Sequence, residues 1–152
     1  MKRLQLRSKE INAELTKYQF EISKKDQVEL FEDDTHKLLL INKEPAFFWY
    51  AQQWIPTLKL LQKNELLKKI TIDMGAVKFI INGADVMRPG ITDIEDGIRK
   101  DDFIVIIDQN NKKPLAVGIA LFNSEEMRAL PKGKVIKTIH YVGDVVWKVE
   151  VK

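Results

Sequence analysis

The chain of 152 residues contains no cysteine, which excludes disulfides and thiolate metal sites. It has no apolar run near the roughly 20 residues that a membrane-spanning helix needs. Its first residues, Met1-Lys2-Arg3-Leu4-Gln5-Leu6-Arg7, lack the apolar core of a signal peptide. A cytoplasmic protein without a membrane partner is expected. Histidine is scarce: His36 and His140 are the two available to a histidine-based triad. His36 falls in a turn pattern, where an exposed ring needs no further role. His140 lies in Ile139-His140-Tyr141, where a local hydrogen bond is the expected use. Gly133-Lys134 lacks both the preceding glycine and the following hydroxyl residue of a phosphate-binding P-loop. Asp101 and Asp102, adjacent at a strand entry, point to opposite sides and make a poor acid–base pair. The acidic stretch Thr92–Asp102 lacks the ligand spacing of a calcium loop and reads as solvated. No catalytic residue, metal site or cofactor is expected.

A strong charge excess is also missing. The net charge is +3; residues 1–69 hold 13 Lys/Arg against 10 Asp/Glu, and residues 70–152 hold 12 of each. Any nucleic-acid contact in the second half must therefore come from segregated charge, not bulk basicity. There is no Gly/Ser-rich linker to mark a flexible join.

In the first half, Ser8 suits a helix N-cap, followed by Ile11, Leu15 and Tyr18 at helical spacing. About three turns of amphipathic helix are expected. Lys2, Arg3, Arg7 and Lys9 form a basic cluster, read first as a solvated end and second as a phosphate contact. Residues 27–50 alternate as strands: Val28–Glu32, a turn at Asp33–His36, Lys37–Ile41, a turn at Asn42–Pro45, and Ala46–Tyr50. This predicts a three-stranded antiparallel meander. Phe47, Phe48, Trp49, Tyr50 and Trp54 concentrate aromatics, at least one alternating pair of which belongs to a core. Pro56 suits the first position of a following helix with Leu58, Leu61 and Leu66 on its apolar side.

The second half turns on Ile70–Thr92, with Gly75, Gly83 and Gly90 at near-even spacing. The pattern predicts a strand, a helix over Ala76–Ile81, a left-handed helix end at Gly83, a strand over Asp85–Arg88 and a Pro89-Gly90 turn. Val77, Phe79 and Ile80 are assigned to the helix's buried side, and Met87 to the core. Further along, Phe103–Ile107 and Pro114–Phe122 read as buried strands around a turn at Asp108–Lys113. Gly118 marks a bulge or a close approach. Ser124 is expected to cap a short helix, Glu125–Leu130. Val135–His140 and Val145–Val151 are expected as the last strands. The fold class is α+β: residues 1–69 form a small α/β domain with an antiparallel sheet, and residues 70–152 a β-barrel with two short helices.

The order Asp73-x-Gly75-Ala76-x-x-Phe79-x-x-x-Gly83-Ala84-x-x-Met87-x-Pro89-Gly90 resembles the signature of the PUA (pseudouridine synthase and archaeosine transglycosylase) domain, an RNA-binding fold with a closed β-barrel. Pro56-Thr57-Leu58-Lys59-Leu60-Leu61 before it, and Ile139-His140-Tyr141 with Asp144 and Trp147 after it, extend the likeness. Together they are similar to the family of the malignant T-cell-amplified protein and ligatin-type translation factors, including compact archaeal relatives. The resemblance implies a non-enzymatic protein that binds RNA, either the tRNA acceptor end or rRNA of the small ribosomal subunit. It also implies a protein partner for the N-terminal domain. Carried over by motif, the RNA-binding residues are Lys78, Gly83, Ala84, Asp85, Arg88, Pro89 and Gly90, extended by Lys132, Lys134 and Lys137. Backbone at Gly83-Ala84 would meet the sugar-phosphate chain or a base edge, while Lys78 and Arg88 would neutralise phosphates. Two other readings stand beside it: an accessory subunit that positions substrate for an RNA-modification enzyme, and a protein-interaction scaffold using Phe47–Trp54.

Overall fold

The computed structural model describes residues 2–150, which form two compact units. One comprises residues 2–66 with 148–150, the other Leu67–Trp147.

The first unit is built on a five-stranded antiparallel sheet whose strands follow one another in chain order. β1 (Lys2–Leu6) leads into α1 (Ser8–Asn12) and a 3-10 turn (Thr16–Tyr18). β2 (Val28–Glu32), β3 (Lys37–Ile41), β4 (Glu44–Tyr50) and β5 (Gln53–Pro56) then form three hairpins, and α2 (Leu58–Leu61) follows. The meander thus gains a strand at each edge. β1 is mostly exposed; Arg3 reaches across to the Glu29 carboxylate of β2, with Nε at 2.5 Å and Nη2 at 3.1 Å. The expected three-turn helix is two short pieces, yet its stripe holds: Ile11, Leu15 and Tyr18 are all buried. Ser8 is the first helical residue; Arg7 occupies the N-cap position without a side-chain bond. Pro56 ends the edge strand β5 instead of opening α2. Thr57 is the N-cap, its Oγ1 accepting from Leu60 N, and the helix stops before Leu66.

β5 escapes a pattern reading because its turn carries no turn signal. Ala51 and Gln52 take φ of +50° and +64°, the two-residue hairpin geometry that Asn-Gly usually marks. The aromatic run is mostly internal. Phe47, Phe48 and Trp54 are buried, and Trp49 and Tyr50 are half-buried. Trp49 packs edge-on to Trp54 at 4.9 Å under the Lys37 ammonium. No exposed aromatic patch forms there among the described residues.

The second unit is a six-stranded mixed sheet in the order β7-β11-β10-β9-β6-β8. Its strands are β6 (Lys68–Ile72), β7 (Val86–Met87), β8 (Ile91–Ile94), β9 (Phe103–Asp108), β10 (Pro114–Ala120) and β11 (Lys134–Tyr141). α3 (Met74–Ile80) follows β6, α4 (Ser124–Ala129) follows β10 and α5 (Val145–Lys148) follows β11. β6 runs parallel to β9, and the other pairs are antiparallel. The two edges, β7 and β8, are consecutive in the chain and joined by a 3-10 turn, Arg88–Gly90. That turn is the seam that brings the sheet to a nearly closed barrel. Inside lie Ile70, Ile72, Ile104, Ile106, Ala116 and Ile136, with Ile80 of α3 and Met127 of α4 as plugs.

Several local expectations change. α4 is capped by Asn123, not Ser124: Asn123 Oδ1 accepts from Glu126 N, and Glu126 Oε1 accepts from Asn123 N. Ser124 instead ties the 95–98 segment, donating to Glu95 O and accepting from Ile98 N. That acidic segment is therefore not simply solvated; it supplies β8 and the buried Ile98. The stretch expected as a closing strand, Val145–Val151, begins as α5, with Val151 outside the described residues. Asp144 causes this: its Oδ1 accepts from Trp147 N at 2.8 Å, an N-cap bond that favours a helical turn.

Candidate functional site

The site is built at the end of α3. Asp73 starts the helix, its Oδ1 accepting from Ala76 N at 2.8 Å. This fixes the phase in which Ile80 faces the core and Lys78 and Phe79 face water. The helix ends with Gly83 N donating to Ile80 O at 2.9 Å and Ala84 N donating to Phe79 O at 3.0 Å. These are the paired bonds of a Schellman closure, and Gly83 has the left-handed φ of +89° that it requires. Gly83 also lies against Tyr141, where a Cβ would come within 2.9 Å of the ring.

The next residues are anchored to β11. Thr138 Oγ1 donates to Ala84 O at 2.8 Å, and Thr138 N donates to Asp85 Oδ1 at 2.9 Å. Asp85 Oδ2 lies 3.3 Å from Lys134 Nζ. Asp85 thus braces the loop and neutralises one lysine. Arg88 N donates to Gly133 O, which places Lys132 and Lys134 beside the seam. The Arg88 side chain is half-buried: Nε donates to Met127 O at 2.7 Å and Nη1 to Ile91 O at 3.4 Å. Gly90 O accepts from Asp73 N, so the Pro89-Gly90 turn sits under the start of α3. Lys78, Lys132 and Lys137 are exposed. The structure ties Gly83, Ala84, Asp85 and Lys134 to one another through α3 and β11, and sets Arg88, Pro89 and Gly90 in the neighbouring 3-10 turn.

Two expectations fail here. Phe79 is 57% exposed and Met87 51% exposed, so neither is core. In a seven-residue helix holding Val77, Phe79, Ile80 and Ile81, spacing alone leaves the buried side open, and the Asp73 cap decides it. Met87 is the outward member of β7, opposite Lys134, while Val86 faces in. His140 is fully buried, with Nδ1 2.9 Å from Asp144 Oδ2. It serves the fold locally. Burial alone would raise the Asp144 carboxyl. The hydrogen bond and charge of His140, with N–H donors from Trp147 and Tyr141, outweigh this and hold it below its usual range.

Residues 68–142 match the PUA domain model, and residues 5–64 match a domain of unknown function, DUF1947. An uncharacterized protein of Methanocaldococcus jannaschii is 49% identical over 127 residues, covering 83% of this chain and 78% of the relative. Translation machinery-associated protein 20 of Saccharomyces cerevisiae is 34% identical over 139 residues, covering 86% and 77%. A chain in the structure of an H/ACA RNP bound to a substrate RNA aligns with a TM-score of 0.52 and 28% identity. It covers 63% of this chain and 29% of that one. The barrel and its glycine loop define a PUA-domain protein. Within that class, the chain belongs to the family of Translation machinery-associated protein 20 and Malignant T-cell-amplified sequence 1. The likeness reaches well before Pro56, where the sequence motifs begin.

Proposed function

We propose that this protein is a non-enzymatic RNA-binding protein of translation, taking the tRNA acceptor end or small-subunit rRNA on the PUA-type barrel. The observation that carries the reading is the Gly83-Ala84 loop, closed on α3 and anchored to β11, with exposed lysines at Lys78 of α3, Lys137 of β11 and Lys132 just before β11. A loop without side-chain bulk lets a sugar-phosphate chain approach backbone groups, and nearby lysines neutralise phosphates. In this proposal Asp85 and Arg88 shape the loop, and Lys134 shares its charge with Asp85. The relatives' name, with its reference to the translation machinery, supports the translation setting.

The N-terminal unit, residues 1–69 in the proposed division, is where a protein partner would bind. The protein would act in the cytoplasm. An accessory role beside an RNA-modification enzyme is the second reading, favoured by the likeness to the H/ACA RNP chain. Co-sedimentation separates the two. The translation reading predicts that the full chain travels with small ribosomal subunits in low-salt gradients. Its absence there, together with stable co-purification with a modification enzyme, would replace that reading by the second.

A further inference from the structure

We propose that Asn82-Gly83 is a site of spontaneous covalent modification, where the asparagine amide becomes aspartate and isoaspartate at a rate set by opening of the α3 end, whether or not RNA binds beside it. The chain has seven asparagines, and Asn82 is the one followed by glycine. Asparagine is labile because the next main-chain nitrogen can attack its side-chain amide carbon and close a five-membered ring. A follower without Cβ leaves that approach unhindered. Asn82 is also exposed. The fold retains the glycine: at a φ of +89°, and with a Cβ 2.9 Å from the Tyr141 ring, any other residue at position 83 is strained. Three other asparagines brace the fold through Oδ1, which accepts from Ile22 N at Asn12, from Gln27 N at Asn42 and from Glu126 N at Asn123.

Both reacting groups of Asn82-Gly83 are held by carbonyls of the last turn of α3. Asn82 Nδ2 donates to Lys78 O at 2.7 Å, and Gly83 N, the attacking atom, donates to Ile80 O at 2.9 Å. Helix ends fray, and fraying of this turn frees the two together. Hydroxide then takes the Gly83 amide proton, the nitrogen bonds to Asn82 Cγ, and the Cγ–Nδ2 bond breaks, releasing ammonia with a proton from water. Water opens the resulting succinimide at either carbonyl. Opening at the side-chain carbonyl gives aspartate in an unchanged main chain. Opening at the main-chain carbonyl gives isoaspartate, whose main chain runs through Cβ and is one carbon longer. The longer chain cannot keep Gly83 N on Ile80 O and Ala84 N on Phe79 O while Thr138 Oγ1 holds Ala84 O.

The test incubates the full chain in mildly alkaline buffer beside a free peptide of residues 78–86, and follows both by peptide mapping with mass spectrometry. The folded chain should gain acid at Asn82 before any other asparagine. It should do so roughly 5- to 150-fold more slowly than the peptide, the factor for breaking two hydrogen bonds of ordinary net strength. Asp73→Ala, which removes the α3 cap, should move the rate towards that of the peptide. Asn82→Gln should abolish the reaction at this position, because the longer side chain must close a larger ring. The isoaspartyl fraction should melt below the parent, while Asn82→Asp, with its main chain intact, should melt close to it. If Asn82 stays an amide while the peptide reacts to completion many times over, or if Asn111 or Asn123 gains acid first, the site is overturned. If Asn82 reacts as fast in the folded chain as in the peptide, the control by the α3 end is overturned. The order and rates in the parent chain decide both points without any variant.

Discussion

A side chain on Gly118 would meet Ile136 Cγ2 at 2.4 Å and the Lys137 carbonyl oxygen at 2.9 Å. The second neighbour is backbone and cannot swing aside. Gly118→Ala should therefore destabilise the fold by about 1–3 kcal/mol, as overpacking typically does. Urea unfolding should show the midpoint falling with the slope unchanged. The same change pushes on the β11 segment where Thr138 anchors Ala84 and Asp85, so RNA affinity should fall as well. Gly118 is legible in sequence as a break in an apolar run, and the structure gives both of its expected features, a bulge at Val117/Gly118 and a close approach. Phe79 is not legible in that way. Its neighbours Val77, Ile80 and Ile81 are equally apolar, and the helix is too short for periodicity to choose among them. The choice is made by one hydrogen bond, from Ala76 N to Asp73.

Among the elements, α5 is the one most exposed to pH. Its first turn hangs on Asp144, which also accepts from Tyr141 N and pairs with the buried His140. The Asp144 carboxyl titrates below its unfolded value when folded. Its stabilising contribution is thus whole above the unfolded pKa of about 3.9 and fades as pH falls below it. Amide exchange of Tyr141 and Trp147 should stay slow down to that pH and accelerate below it. Asp144→Asn should lower the protection already at neutral pH and flatten the acid limb. Reading the valine-rich 145–151 stretch as a strand misses α5 because composition outweighs a cap in a pattern reading, whereas in the molecule the cap comes first. Other elements divide the same way. β9 and β10 are strongly apolar and, like the more mixed β11, read correctly. β1 and β5 are edge strands of mixed character, and β5 follows a turn with neither Asn nor Gly.

For the whole molecule, the glycine and Pro-Gly pattern reveals the barrel's class because it encodes the seam itself. Gly83 ends α3, and Arg88–Gly90 joins the two edge strands. The parallel β6–β9 pairing is not visible in sequence, since it links segments more than 30 residues apart through side chains common to any strand. Charge follows the same logic. A second half with 12 cations and 12 anions has no bulk attraction for RNA, so the account depends on a few lysines in one place. The most direct test is the salt dependence of tRNA affinity for the parent chain, Lys78→Glu/Lys137→Glu, and the control Lys24→Glu/Lys25→Glu. The control carries the same charge change on exposed residues of the first unit. The account predicts that the first double variant weakens binding and lowers the log–log salt slope by about 0.7 for each lost single-strand phosphate contact, while the control binds nearly as the parent does. Equal losses in both variants, or none in either, would contradict an RNA interface at the Gly83 loop.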